Sequence, residues 1–229
     1  MIERHIHQVR VEPPTTEETL AAARVRLADK FPRTALRRMT HLGLLLGSTL
    51  EGIALGPEDA VVYASTFAET CSLEDFLRSF PAASPRLFQG SIHPGGVQQV
   101  LVGRSQPIAR LWPLAGGTRL VEQALLTALL EPAPRVVLVG GEERGTWMRE
   151  HGMASATSFA FAVLLTRDPA GAIGRVAFHP GPGADESCPP LERFAQDLAA
   201  RRVLRWEGAG GTWSLEWSDV TRTNPGDPT

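Results

Sequence analysis

Several residue types are scarce in this chain, and each scarcity removes a class of protein. Lysine occurs once, at Lys30, so arginine carries almost all of the positive charge. No run of basic residues stands out, and a net charge of −2 argues against a general binder of nucleic acid or other polyanions. The two cysteines, Cys71 and Cys188, are far apart and lack metal-ligand spacing. They read as ordinary thiols of a reducing compartment rather than a disulfide. No apolar run approaches the length of a membrane span, and residues 1–14 hold no apolar core of signal-peptide length. Together these absences predict a soluble, cytoplasmic protein with no nucleic-acid or membrane partner. No metal or cofactor site is legible.

What is present suits one large domain. Apolar residues make up 43% of 229, enough for a substantial core. The order of elements predicts an α/β fold over residues 1–219, with a disordered tail at 220–229. Residues 2–11 alternate as a strand ended by Pro13 and Pro14, with His5 and His7 on one face. Thr15 or Thr16 caps a helix running to about Lys30. Residues 35–53 read as one amphipathic helix with a stripe of Leu36, Met39, Leu42, Leu46, Leu50 and Ile53. Gly43 and Gly47 on or beside that stripe let a neighbouring backbone come close. His41 falls on the opposite, solvated face. Arg37 and Arg38 sit at the helix start, solvated or facing an acidic partner.

Residues 60–65 form a buried strand. Ser72 caps a helix to Phe80, with Cys71 just ahead of it as a small filler or an activated thiol. A helix starts near Pro94 and ends at Gly103, leaving Ser91 and His93 in the loop before it. A central strand follows at 108–112, then a sharp turn, then a helix at 120–130 that is apolar nearly all round and so buried on all sides. Residues 135–140 make a continuous apolar strand of a covered, largely parallel sheet. Strands 158–166 and 174–179 read as a hairpin, 191–201 as a helix, and 203–206 with 213–217 as a second hairpin.

The stretch 84–143 organises the rest. Its strand–turn–helix can hold one side chain at a helix N-terminus, where backbone N–H groups and the helix dipole favour a thiolate or an oxyanion. Alanine fills that place: the turn reads Ala115, Gly116, Gly117, Thr118.

Three segments carry a family resemblance. Residues 36–43 (LRRMTHLG) are similar to the early helix of β-ketoacyl synthases, and 61–65 (VVYAS), with Glu69 just beyond, to the strand that follows it in short ketosynthase-like proteins. Residues 84–93 (SPRLFQGSIH) resemble the segment SPT-x-F-x-x-S-V-H-N of the same group, through Ser84, Pro85, Phe88, Ser91 and His93. The chain therefore resembles short proteins akin to chain-length factors, found with aryl-polyene and fatty-acid-type pathways, and the likeness spans residues 36–179. It implies the N-terminal half of a thiolase fold, with a mixed sheet and a buried central helix. An active condensing enzyme carries cysteine at the turn because acyl transfer needs a nucleophile there; here the turn is degenerate. Such enzymes also draw two histidines from a second half of the fold. His93 is followed by Pro94, where the family usually has asparagine, and its place in the motif is not catalytic.

The resemblance implies a non-catalytic ketosynthase-like subunit, without a cofactor, that pairs with an active ketosynthase and an acyl carrier protein; a homodimer is the open alternative. Two rival readings come from the residues alone. A stand-alone acyl hydrolase or acyltransferase would use Cys71, Ser91 or Thr118, but no base and orienting acid stand at a readable spacing. A nucleotide-binding domain would use the strand-then-glycine run 136–141 (VVLVGG), but no G-x-G-x-x-G or phosphate-loop lysine follows.

Overall fold

The computed structural model describes residues 1–183 and 188–218; the expected tail lies outside them. In chain order the elements are β1 (Ile2–Thr15), α1 (Leu20–Arg26), α2 (Arg33–Leu36), α3 (His41–Thr49), β2 (Ala60–Ser65), α4 (Thr70–Arg78), α5 (Pro85–Gly90), α6 (Gly95–Gly103) and β3 (Arg110–Ala115). They continue with α7 (Leu120–Leu130), β4 (Arg135–Glu142), α8 (Trp147–Glu150), β5 (Ser158–Thr166), β6 (Gly174–Pro180), α9 (Leu191–Ala199), β7 (Leu204–Gly208) and β8 (Gly211–Trp217). The strands make one eight-stranded mixed sheet, ordered β3-β2-β4-β5-β1-β6-β8-β7. β2 runs parallel to both β3 and β4, and the remaining neighbours are antiparallel.

The apolar runs of β2 and β4 are continuous because both faces are covered. Successive side chains point to opposite sides. Val62, Ala64, Val136 and Leu138 pack with α7 and α9, and Val61, Tyr63, Val137 and Val139 with α3 and α6. The mixed sheet and the buried helix expected from the sequence are both present.

Several expectations need correction. The strand ahead of the turn is not central: β3 is the edge of the sheet, hydrogen-bonded to β2 alone. β5 and β6 are not a hairpin, because β1 lies between them and pairs with both; it also runs past Pro13 and Pro14 to Thr15. The long helix over 35–53 is two helices. Thr40 breaks it, since its Oγ1 accepts from Gly43 N–H at 3.0 Å and caps α3. Every residue of α3 is buried, His41 included, so it has no solvated face. Its neighbours are the sheet, α1 and α6, and a methyl group at Gly43 would stand 3.3 Å from the Gly96 carbonyl oxygen of α6, as close backbone approach requires. Finally, α7 is not buried on every side: Gln123 and Leu130 are exposed, one helical stripe apart.

The glycines of 136–141 are part of β4 rather than a phosphate-binding loop. A Cβ on Gly140 would meet the Phe161 ring at 2.6 Å, and one on Gly141 the Phe159 carbonyl oxygen at 2.5 Å. Glycine here permits close approach inside a strand. Gly141→Ala is expected to cost about 3 kcal/mol, because backbone rather than a movable side chain must give way; a chemical denaturation midpoint unchanged from wild type would refute the packing account.

Candidate functional site

The turn lies at the C-terminal end of the parallel strands. β3 stays in register with β2 to its last residue, Ser65 opposite Ala115, and Gly116 N–H donates to the Ser65 carbonyl at 3.2 Å. Gly116 and Gly117 have φ of +74° and +88°. Almost nothing crowds them: the nearest atom to a Cβ on Gly116 would be 4.0 Å away, and none lies within 4 Å for Gly117. The left-handed backbone, not space, calls for glycine. Ala115, Gly117 and Thr118 are exposed. Among the described residues no hydrogen bond reaches the Thr118 hydroxyl.

Helix α7 begins without a local side-chain cap. The sulfur of Cys188 lies against the N–H groups of Glu122 and Val121 instead. Burial pushes this thiol up, and the two N–H groups oppose that shift without reversing it. Glu122 itself is buried, accepting from Arg119 at 2.8 Å and from the Trp206 indole N–H at 3.1 Å.

Beneath the turn, four glutamates are each no more than 2% exposed: Glu69, Glu74, Glu142 and Glu143. Each accepts at least one backbone N–H from a neighbouring loop or helix start. Glu142 accepts from Thr66 N–H, from Phe67 N–H at 3.2 Å and from Ser65 Oγ at 3.1 Å. Glu143 accepts from Leu42 N–H at 3.2 Å and Cys71 N–H at 2.7 Å, tying the starts of α3 and α4 to the end of β4. Glu74 holds Thr146 and Met148 N–H at 2.8 and 2.9 Å. Glu69 takes Gly96 N–H at 2.8 Å, Tyr63 O–H at 3.3 Å and a ring nitrogen of His93, Nδ1, at 3.2 Å. Burial raises Glu142 and Glu143 to about 7, against the hydrogen bonds that favour their charged forms. These carboxyls fix loops and helix starts.

Beside the turn the sheet ends openly. β3 has no strand on its outer side among the described residues. Trp112 on β3 is 43% exposed and Leu130 at the end of α7 is 57% exposed. The Trp112 indole N–H donates to Glu131 Oε2 at 2.6 Å, which holds the ring in place.

No family model matches the chain, and no curated protein does. Solved structures do match. One is a ketosynthase (ApeO) in complex with its chain length factor (ApeC) from Xenorhabdus doucetiae, with 17% identity, covering 94% of this chain and 100% of that chain, at a TM-score of 0.67. Another is a β-ketoacyl synthase from Burkholderia phymatum STM815, with 12% identity, covering 88% of this chain and 70% of that chain, at a TM-score of 0.55. The fold is thiolase-like. At these identities the likeness is one of fold alone, and it agrees with the resemblance carried by residues 36–179.

Within this thiolase-like fold the sequence-predicted residues separate. Ser84 caps α5, accepting from Leu87 N–H at 3.4 Å, and Pro85 occupies its first turn. Phe88 is half exposed and packs on Phe76 with ring centroids 5.3 Å apart. Ser91 Oγ donates to the Phe88 carbonyl at 2.7 Å. His93 stacks on Tyr63 at 4.7 Å and faces Glu69, so the motif reaches the buried glutamates through His93 alone. Cys71 lies inside α4 rather than ahead of it, because Glu143 receives its N–H and the helix starts at Thr70. Its Sγ donates to the Arg144 carbonyl at 3.1 Å, and burial with Glu143 nearby pushes the thiol far up, the reverse of activation. The sequence reading missed Glu74, Glu142 and Glu143. The available signal was two carboxylates directly after an apolar strand, a place where solvent is scarce. His5 and His7 hold no metal cluster among the described residues; His7 bonds the Asp168 carbonyl at 2.9 Å. No helix among the described residues is long and apolar enough to cross a membrane.

Proposed function

We propose that the chain is a non-catalytic ketosynthase-like subunit that acts with an active ketosynthase and an acyl carrier protein, in aryl-polyene or fatty-acid-type biosynthesis. The observation that supports this reading is the bend between β3, which ends at Ala115, and α7: under the resemblance this bend is where acyl transfer would need a nucleophile, and it carries no cysteine. The open edge of β3 supports the other half of it. An unpaired strand edge beside an exposed Trp112 and Leu130 is a template for a partner's strand, and a ketosynthase or a second copy of this chain could supply one. The hydrolase reading has little to rest on, since Ser91 Oγ bonds a carbonyl and the Cys71 thiol is held protonated.

Co-expression with a ketosynthase and a carrier protein, followed by an acyl-thioester probe, tests the proposal. The expected result is co-elution of this chain with the ketosynthase and label on the ketosynthase only. Label on this chain, lost in Cys71→Ala or Ser91→Ala, would sink it.

A further inference from the structure

The charge on this molecule is unevenly spread. Between Asp29 and Glu51 the chain has four basic residues, Lys30, Arg33, Arg37 and Arg38, and no acidic one. Lys30 is neutralised by Glu51 at 2.7 Å. Arg33, Arg37 and Arg38 are exposed and no described carboxylate pairs with them. Two more guanidinium groups flank them. Arg24 of α1 reaches the carbonyls of Arg37 and Met39, at 3.5 and 3.2 Å, and Arg104 after α6 reaches that of Gly47 at 2.8 Å. Both donate to neutral carbonyl oxygens, though Glu51 also acts on the charge of Arg104. In a chain of net charge −2, positive charge is thus gathered on α2 and the link into α3.

The face is also built rather than merely basic. Arg24 pins the link from inside, so Arg37 and Arg38 are carried on fixed backbone. Ala35 of α2 sits close to Gly103 of α6, and the adjacent Val102 is 78% exposed, an apolar spot beside the charges. The link leads straight into α3, whose Leu42 N–H donates to Glu143 at the end of the sheet that carries the turn.

We propose that Arg33, Arg37 and Arg38 form the docking surface for an acidic protein, with Val102 as its apolar contact. Guanidinium groups free of intramolecular carboxylates suit a row of surface carboxylates, which they can engage in paired hydrogen bonds. Under the function proposed above, on which this assignment rests, the carrier protein is that partner.

The test uses the co-expressed complex and a triple variant, Arg33→Glu, Arg37→Glu, Arg38→Glu, titrated with holo carrier protein by fluorescence anisotropy. The variant is expected to bind at least about tenfold more weakly, with wild-type affinity falling as added salt shortens the Debye length from about 10 Å to about 3 Å. Co-elution with the ketosynthase is expected to be unchanged, which shows that the variant folds. The Arg→Lys triple, which keeps the charge but loses the paired hydrogen bonds, is expected to bind more weakly than wild type and more tightly than the Glu triple. Equal carrier affinity in wild type and the Glu triple, with ketosynthase co-elution intact, overturns this docking surface and leaves the subunit reading standing. A wild type that binds neither protein overturns both. Charge-dependent binding to phosphatidylserine-containing vesicles or duplex DNA, with none to carrier protein, also overturns it.

Discussion

The wild-type protein is expected to lose stability as pH rises from 4.5 to about 7, and the double variant Glu142→Gln, Glu143→Gln is expected to lose far less. Both carboxyls are buried at the end of β4, and burial raises each from 4.5 to about 7. Glu142 faces Ser65, Thr66 and Phe67; Glu143 faces Leu42 and Cys71, with Glu69 near enough to raise it further. Tyr63, whose hydroxyl burial also raises, and His93 complete the surrounding titratable groups through Glu69. A folded-state value above the unfolded one means that the folded protein binds more protons across that window. The stability these two carboxyls contribute is therefore fully present below 4.5 and is lost as pH climbs through the folded value. A rise of this size is worth on the order of 3 kcal/mol for each carboxyl. In a chain of this length each kcal/mol moves the melting temperature by about 2–4 °C, so the wild type should fall roughly 10–20 °C further than the variant between the ends of the window. Thermal melts at matched ionic strength read this directly. A variant that keeps the wild-type slope would show that the two glutamates ionise as exposed carboxyls do.

The same glutamates mark where sequence reading ran out. Charged side chains are read as exposed because an isolated buried charge is so costly; nothing local in Glu142 and Glu143 announces that loops from β2, α3 and α4 will fold over them. Long apolar runs behaved differently. The limits of α7 at Leu120–Leu130 and the core of β4 were legible, because continuous burial imposes itself residue by residue. Position within the sheet was not. β3, expected at the centre, lies at the edge, and β1, whose place the pattern left open, lies in the interior, since strand order is chosen by long-range pairing that a period of two cannot encode. The stripe drawn on residues 35–53 failed for a related reason. It marked one apolar face, but α3 meets α1, α6 and the sheet on all sides, so even His41 is buried, where Glu18 stands 3.6 Å away. The backbone of the turn was legible, because Gly116 and Gly117 signal the left-handed conformation that both adopt.

Glu131→Ala is expected to free the edge strand that the proposed partner would use. Glu131 follows α7, is 3% exposed, and gathers Arg110 at 2.5 and 2.8 Å, the Trp112 indole at 2.6 Å and Ala133 N–H at 3.0 Å. Burial acts to raise this carboxyl, but the hydrogen bonds from Arg110, Ala133 and Trp112 outweigh it and hold it below the usual range. Its carbonyl oxygen is held as well, by the fully buried Arg4 and by Arg167 at 3.3 Å. Two of its donors lie on β3, whose only ladder is the one to β2. Truncation leaves the buried Ala133 N–H without an acceptor and removes two charge-assisted bonds, a loss of about 3 kcal/mol. Arg110 and Trp112 are partly exposed and recover water, so the damage should fall on the placement of β3 more than on the core. Amide hydrogen exchange in Arg110–Ala115 is expected to speed at least about tenfold while β4 and β5 keep their protection. If β3 is the edge on which a ketosynthase docks, co-elution should weaken in this variant even below its melting temperature. Faster exchange in β3 with undiminished co-elution would move the partner to another face of the molecule.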